Sequence, residues 1–91
     1  MTYAVLVSED GGPGRTGRLE LDSSCVAFSG GGRVSLADLR DVYLERRPNS
    51  PPALVMISKQ GERFRVSSLE GLGALHELAE AVVQARERVA A

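Results

Sequence analysis

Residues 72–89 have the sequence LGALHELAEAVVQARERV, and this stretch decides the fold prediction. Its apolar side chains recur in steps of three and four residues, at positions 75, 78, 82, 85 and 89, and Leu72 and Ala79 widen the same side. Because a helix turns once every ~3.6 residues, this spacing places one apolar stripe along a helix. We therefore expect a long amphipathic helix whose stripe covers a sheet.

The expected start of this helix rests on a capping box. Ser67 is followed three residues later by Glu70, the spacing at which a serine side chain and a glutamate side chain satisfy the first helical N–H groups. The helix is thus predicted to begin near residue 68 and to end at about residue 89, a length on the order of 30 Å. Gly71 and Gly73 weaken its first turns.

Short strands precede the helix. Apolar and polar residues alternate with a period of two in most of residues 3–66, between clusters of turn-forming residues. The slip in this pattern near Ala37 and Asp38 predicts a bulge or a turn. Prolines make residues 48–52 a loop, because proline lacks the N–H that a central strand donates. The six or seven predicted strands are 3–7, 18–22, 25–28, 34–36, 39–44, 53–57 and 63–66.

The order of these segments predicts an α+β fold. Strands that precede a single helix leave no room for parallel crossovers, so the sheet should be curled and mostly antiparallel, with the C-terminal helix as its cap. At 91 residues the chain can build only one core, so we expect a single domain over residues 1–91.

Composition narrows the classes of function. Hydrophobic residues make up 43% and charged residues 25% of the chain, and the formal net charge of -1 gives no strong field to attract nucleic acid. One cysteine cannot form an internal disulfide and fits a reducing, cytoplasmic setting. The N-terminal apolar run is too short for a signal peptide, and no apolar stretch is long enough to span a bilayer.

Several segments together resemble the pleckstrin-homology-like superfamily, and within it the small bacterial PH and GRAM-type domains. The matching stretches are 17–21, 25–28, 34–42, 53–57, 61–66 and the closing helix. The resemblance implies a partly open barrel, made of a near-orthogonal pair of sheets and capped by the helix, that serves as a binding or scaffolding module. Enzymes are rare in that superfamily.

The resemblance also directs attention to the first hairpin. Members that bind phosphoinositides use basic residues there, and Arg15 and Arg18 occupy the matching place in this sequence. The sequence departs from that pattern because it has no lysine in the region and because acidic residues surround the two arginines: Glu9, Asp10, Glu20 and Asp22. A phosphoinositide ligand is therefore not carried over.

No motif predicts catalysis. Residues 12–17 match G-x-G-x-x-G, but strand periodicity follows them where a dinucleotide site needs a helix, so we interpret them as a loop. His76 has no cysteine or histidine at a metal-ligand spacing, and Cys25 lies in an alternating strand with no histidine near it in sequence. We expect no enzyme activity, no metal and no cofactor.

The leading functional hypothesis is a non-catalytic module that binds another protein or a second copy of itself. The strands at 3–7 and 53–57 are apolar on both faces, so one face of each needs a cover, and Leu6, Leu54 and Met56 are the candidate interface residues. The alternative is a weak lipid or anionic-ligand module that uses Arg15, Arg18 and Arg33. A further modest anion site could form from Arg46, Arg47, Lys59, Arg63 and Arg65.

Overall fold

The computed structural model describes residues 1–90 of the chain. In this part of the chain, seven strands precede one α-helix, and a 3-10 turn at Leu36–Asp38 joins the fourth strand to the fifth. The elements are β1 (Thr2–Glu9), β2 (Arg15–Leu21), β3 (Cys25–Phe28), β4 (Arg33–Ser35), β5 (Leu39–Arg47), β6 (Ser50–Ser58), β7 (Arg63–Ser68) and α1 (Leu72–Ala90).

All seven strands belong to one continuous sheet in the order β4-β3-β2-β1-β7-β6-β5. Every neighbouring pair is antiparallel. The sheet curls into a half-barrel, and α1 covers its concave side. The predicted α+β fold, with six or seven antiparallel strands and one capping helix, is confirmed, and the hydrogen bonds join the strands into one sheet instead of two.

The helix seals the sheet with the middle of its predicted stripe. Leu75, Leu78 and Val82 are at most 2% exposed and pack in one cluster with apolar side chains from the sheet. Each such burial contributes roughly 1.5–3 kcal/mol, so these three side chains dominate the attachment of α1. The ends of the stripe differ, because Leu72 and Val89 remain 52% and 37% exposed. No helix within residues 1–90 is long and apolar enough to cross a membrane.

The predicted start of the helix was wrong. Strand β7 continues through Ser68, and the chain then turns at Gly71, whose φ of 103° favours glycine. The Glu70 carboxylate does not cap the helix, because its Oε1 accepts the Ala4 N–H at 2.9 Å. Its own N–H donates to the Ser68 hydroxyl at 3.0 Å. The residues that resembled a capping box therefore tie the β7–α1 connection to β1.

The loop predicted from the prolines was too long. Only Pro48 and Asn49 form the turn, and β6 begins at Ser50, with the two following prolines inside it. The register shifts between Glu45 and Arg47, and β6 pairs with β7 only from Leu54 onward. A bulged stretch with one neighbouring strand needs fewer N–H donors, which is why it accepts proline.

The slip predicted near Ala37 and Asp38 is confirmed as the 3-10 turn, which also takes Leu36 out of the predicted strand. The predicted loop at residues 12–17 is shorter than expected, because β2 begins at Arg15 and pairs with the end of β1. A strand thus follows the glycines at the position where a dinucleotide site would need a helix.

Candidate functional site: the open end of the sheet

A pocket of about 160 Å³ lies where the end of β1, the start of β2, the β3–β4 connection and β7 meet. None of its lining residues belongs to α1, so it lies at the end of the half-barrel that the helix leaves open. We call it the open-end pocket. Its floor is apolar, with Val7, Phe28 and Phe64, and its rim is charged, with Glu9, Arg15 and Arg18.

Two stacked aromatic rings form the floor. The ring centroids of Phe28 and Phe64 are 5.6 Å apart, with an angle of 24° between the planes. Phe64 is only 5% exposed, whereas Phe28 is half-buried and presents part of its ring to the pocket. Because β2 and β1 separate β3 from β7 in the sheet, only the curl brings these two residues together. Sequence reasoning missed this floor, since alternation places both residues on the inner face but does not pair them.

The wall beside β2 depends on a close approach to Gly17. A Cβ at this position would lie 2.6 Å from the Ser29 Oγ, which is too close for two non-bonded atoms. The Ser29 hydroxyl accepts the Arg18 N–H at 3.0 Å, and the Ser29 N–H donates to the Arg18 carbonyl at 2.9 Å. These bonds hold the residue after β3 against β2 and fix the backbone from which Arg18 projects.

The rim has an excess of positive charge. Arg15 and Arg18 are both exposed, and Glu9 is the one acidic residue among the side chains that line the pocket. The ion pairs found within residues 1–90 involve Arg40, Arg47 and Arg65, so no carboxylate lies within 4.0 Å of either rim guanidinium. Their charge is therefore available to a ligand.

The structure does not bring Arg33 to this pocket. Arg33 is the first residue of β4 and pairs with Ala27 of β3. No residue of β4 lines the pocket. Its charge acts instead near the Cys25 thiol. Burial and then the neighbouring Asp22 raise the pKa of Cys25, and Arg33 opposes them only in part. A thiol with a raised pKa is a weaker nucleophile at neutral pH.

Asp22 organises the β2–β3 turn. Its Oδ1 accepts the N–H groups of Ser24 and Cys25 at 2.7 and 2.8 Å, and the Ser24 hydroxyl at 3.0 Å. These hydrogen bonds, led by the one from the Ser24 N–H, lower the pKa of Asp22 from 3.8 to about 2. The carboxylate is thus a structural acceptor at neutral pH.

Two of the three residues proposed as an interface lie in the core. Leu54 and Met56 are 0% exposed and belong to the main hydrophobic cluster, so neither reaches a second chain. The sequence pattern could not decide which face of β6 points inward. Leu6 is different, since 37% of its surface is exposed on the opposite face of β1 from the core.

The outer face of β6 is covered by its own neighbours. Val55 is 1% exposed beneath a cluster that includes Arg47, Arg63 and Arg65. Glu45 makes ion pairs with Arg47 and Arg65. Burial by itself would raise the pKa of Glu45, but the hydrogen bond and charge of Arg47, with a contribution from Arg65, lower it.

The five basic residues predicted as a possible anion site therefore do not form one cluster. Arg63 donates to the Tyr43 hydroxyl at 3.0 Å on the outer face. Arg46 lies on the other face, where its Nη2 is 3.3 Å from the His76 Nε2. Lys59 lies in the β6–β7 turn, near Leu36 and Leu39. The internal ion pairs of Glu45 use much of the charge of the outer-face cluster, which makes it a poorer anion site than the open-end pocket.

A second surface lies between the edge strand β5 and α1. It is a groove of about 580 Å³ with Val42, Leu44 and Ala79 at its base. Val83 is 38% exposed beside it, and Tyr43 is 40% exposed at its border. The helical wall carries Glu80 and Glu87.

The side chains on these surfaces offer charged, polar and apolar groups to a ligand. In residues 1–90, no group of three or more His, Cys, Asp and Glu side chains is placed to hold a metal ion. The lining of the open-end pocket combines guanidinium, carboxylate, hydroxyl and aromatic groups. No family model matches the sequence, and no curated protein is significantly similar to it.

Proposed function

We propose that this chain is a non-catalytic, pleckstrin-homology-like binding module, and that the open-end pocket takes an anionic ligand with a small apolar group. One observation carries the proposal: the exposed guanidinium groups of Arg15 and Arg18, which have no carboxylate partner within residues 1–90, stand at the rim of a pocket whose floor is formed by Phe28 and Phe64. Aromatic rings bind the apolar part of such a ligand, and arginine binds its carboxylate or phosphate.

The size of the pocket limits the ligand. A volume of about 160 Å³ accommodates roughly one aromatic ring or a short acyl segment. Burial of ~100 Å² of apolar surface contributes about 2.5 kcal/mol, and two exposed cations add about 2 kcal/mol. The sum corresponds to a dissociation constant on the order of 0.5 mM, so we expect weak binding that salt reduces.

Titration with phenyl phosphate tests this proposal. We expect amide resonances of residues around the pocket to shift in NMR spectra, and benzyl alcohol, which lacks the charge, to bind at least about tenfold more weakly. Arg15→Gln and Arg18→Gln should each weaken binding, while Arg33→Gln is the matched control because its guanidinium lies outside the pocket. Equal loss in all three variants would contradict the proposal.

Lipid headgroups and soluble anions share this chemistry, and a second measurement separates them. Vesicles that contain anionic lipid should compete with phenyl phosphate if the natural ligand is a headgroup at a membrane. Phenyl phosphate binding without any vesicle binding would identify a soluble ligand. Shifts that map to the outer-face arginines instead of the open-end pocket would move the site and overturn the assignment.

Association with protein is the second candidate function. The apolar residues of β6 do not support this function, because Leu54 and Met56 are buried. A different observation favours it: β5 is an edge strand nine residues long, next to a partly apolar groove. Edge strands present unpaired N–H and C=O groups, to which another strand can add.

A further inference from the structure

The part of β5 that can accept another strand has clear limits. The pairing with β6 slips between Leu39 and Asp41, which makes Arg40 a bulge. Arg86 of α1 donates to the Arg40 carbonyl, so the helix covers the edge at that point. The Pro48–Asn49 turn ends the strand at the other side. A stretch of seven residues remains, 41–47, and its midpoint is Leu44; we call it the β5 free edge.

The two faces of the β5 free edge carry different side chains. Asp41, Tyr43, Glu45 and Arg47 point to the outer face, as the Arg63–Tyr43 and Arg47–Glu45 contacts show. Even-numbered residues point toward α1. Val42 and Leu44 line the groove, and Arg46 reaches His76.

We propose that two copies of this chain pair through their β5 free edges, antiparallel and about a two-fold axis at Leu44. This inference names the partner and the register of the second candidate function and rests on it. In this register Asp41 lies opposite Arg47 of the second copy, and the symmetry repeats the pair. Within one chain Asp41 pairs with Arg40 and Arg47 pairs with Glu45, so the new contacts would share or replace these ion pairs. Directly opposite residues on an antiparallel ladder place their side chains on the same face, close enough for ion pairs.

The symmetric registers centred on Glu45, Tyr43 and Val42 are less favourable, and an axis at Glu45 would place Glu45 opposite its own copy. A two-fold axis at Tyr43 would place Asp41 opposite Glu45 of the second copy, and Arg40 opposite Arg46, so like charges would meet twice. An axis at Val42 would use the bulged Arg40 in the ladder. Charged side chains on an edge strand usually oppose pairing. In the Leu44 register, the charged side chains of Asp41 and Arg47 instead face residues of opposite charge in the second copy.

The groove between β5 and α1 gives the two copies a second pair of complementary charges. The Arg46–His76 and Arg86–Arg40 contacts show that α1 runs antiparallel to β5, which places Val42 beside the helical wall near Val83. In the Leu44 register, Arg46 of the second copy lies opposite Val42. Its guanidinium would therefore reach the wall that carries Glu80 and Glu87. Leu44 would meet its own copy at the centre.

Sedimentation and native mass measurement on the full chain test the proposal. We expect the wild type to move from 9.7 kDa to twice that mass as its concentration rises to about 1 mM. Asp41→Arg and Arg47→Asp should each raise the dimer dissociation constant at least about tenfold, because each replaces two opposite-charge contacts by like-charge contacts. Glu62→Arg and Arg88→Glu are charge-matched controls outside the edge and should dimerise as the wild type does.

Mixing the two single variants gives the decisive result. A heterodimer of Asp41→Arg with Arg47→Asp restores opposite charge at both pairs, so the mixture should dimerise although neither variant does so alone. Such rescue also excludes misfolding as the cause of the losses. A wild type that stays monomeric, or a mixture that shows no rescue, overturns the proposed pairing.

Failure of this inference is distinguishable from failure of the docking function. Docking to a different chain predicts a hetero-complex in native mass spectra of protein purified from its host, and predicts its loss in both single variants without rescue on mixing. Phenyl phosphate titration of the same variants reports the open-end pocket separately, since its lining residues lie outside β5.

Discussion

The ring of Phe28 stacks on the ring of Phe64 with a centroid distance of 5.6 Å, although two strands separate β3 from β7 in the sheet. The contact therefore spans the concave side and links the first half of the sheet to the second. The same two rings form the floor of the open-end pocket. Both the shape of the pocket and the curl of the sheet therefore involve Phe28 and Phe64.

The first prediction concerns this pair. Phe64→Ala should lower the free energy of unfolding by about 3–5 kcal/mol, because it empties a buried site and removes the stacked partner of Phe28. Phe28→Ala should cost less, since Phe28 is only half-buried. Urea unfolding monitored by circular dichroism measures both. An equal cost for the two substitutions would show that the stacking, and not the burial, dominates.

The second prediction uses two glycines that are two residues apart. Gly73→Ala should raise the free energy of unfolding by about 0.5–1 kcal/mol, because Gly73 lies in α1 and a Cβ there meets nothing within 4 Å. Gly71→Ala should lower it by about 1 kcal/mol or more, since the φ of 103° disfavours any other residue. Thermal unfolding of the two variants should therefore shift the melting temperature in opposite directions.

The third prediction couples Gly17 to Ser29. Gly17→Ala should cost about 1–3 kcal/mol, because its Cβ would displace the Ser29 Oγ 2.6 Å away and break the bond from the Arg18 N–H. In a Ser29→Ala background the same substitution should cost clearly less, since the clashing atom is absent. A double-mutant cycle measures the coupling. Simple additivity would mean that the clash is relieved by backbone movement elsewhere.

The fourth prediction concerns acid. The pKa of Asp22 is lowered from 3.8 to about 2, so the folded state holds this carboxylate ionised at a pH where the unfolded chain is already protonated. The contribution to stability is therefore complete above pH ~4 and is lost as the pH falls toward ~2.

Comparison with Asp22→Asn isolates that contribution. The wild type should exceed the variant in urea midpoint most at neutral pH, and the difference should shrink between pH ~4 and ~2. Glu62→Gln is a suitable control, because Glu62 is an exposed turn residue whose side chain makes no ion pair within residues 1–90. A constant difference over the whole range would contradict the assigned role of Asp22.

Much of the fold was predictable because it depends on local periodicity. The stripe containing Leu75, Leu78 and Val82 predicts α1, and alternation predicts the strands. The predictions of helix start and loop length were wrong at positions where contacts with residues distant in sequence determine the local structure. Glu70 accepts a hydrogen bond from the backbone of β1 instead of capping the helix, and the two prolines inside the first part of β6 are accepted because β7 does not reach them.

The candidate site was predictable only in part for the same reason. Arg15 and Arg18 were identified from their place on the first hairpin, and both lie at the pocket rim. Arg33 was not separable from them in sequence, because the register of β4 decides where it points. Both faces of β6 are buried, and the position of α1 decides which of them faces the core and therefore where Leu54 and Met56 lie.

The two borders of the sheet are unequal: β4 has three residues and β5 has nine. A border of three residues offers too few hydrogen bonds to template an added strand. Any strand-by-strand growth must therefore start at β5, and a second copy joined there would occupy the one long border in residues 1–90 of each chain. A pair formed as proposed would therefore leave only the two short β4 borders open, and edge-to-edge growth through β4 would gain few hydrogen bonds.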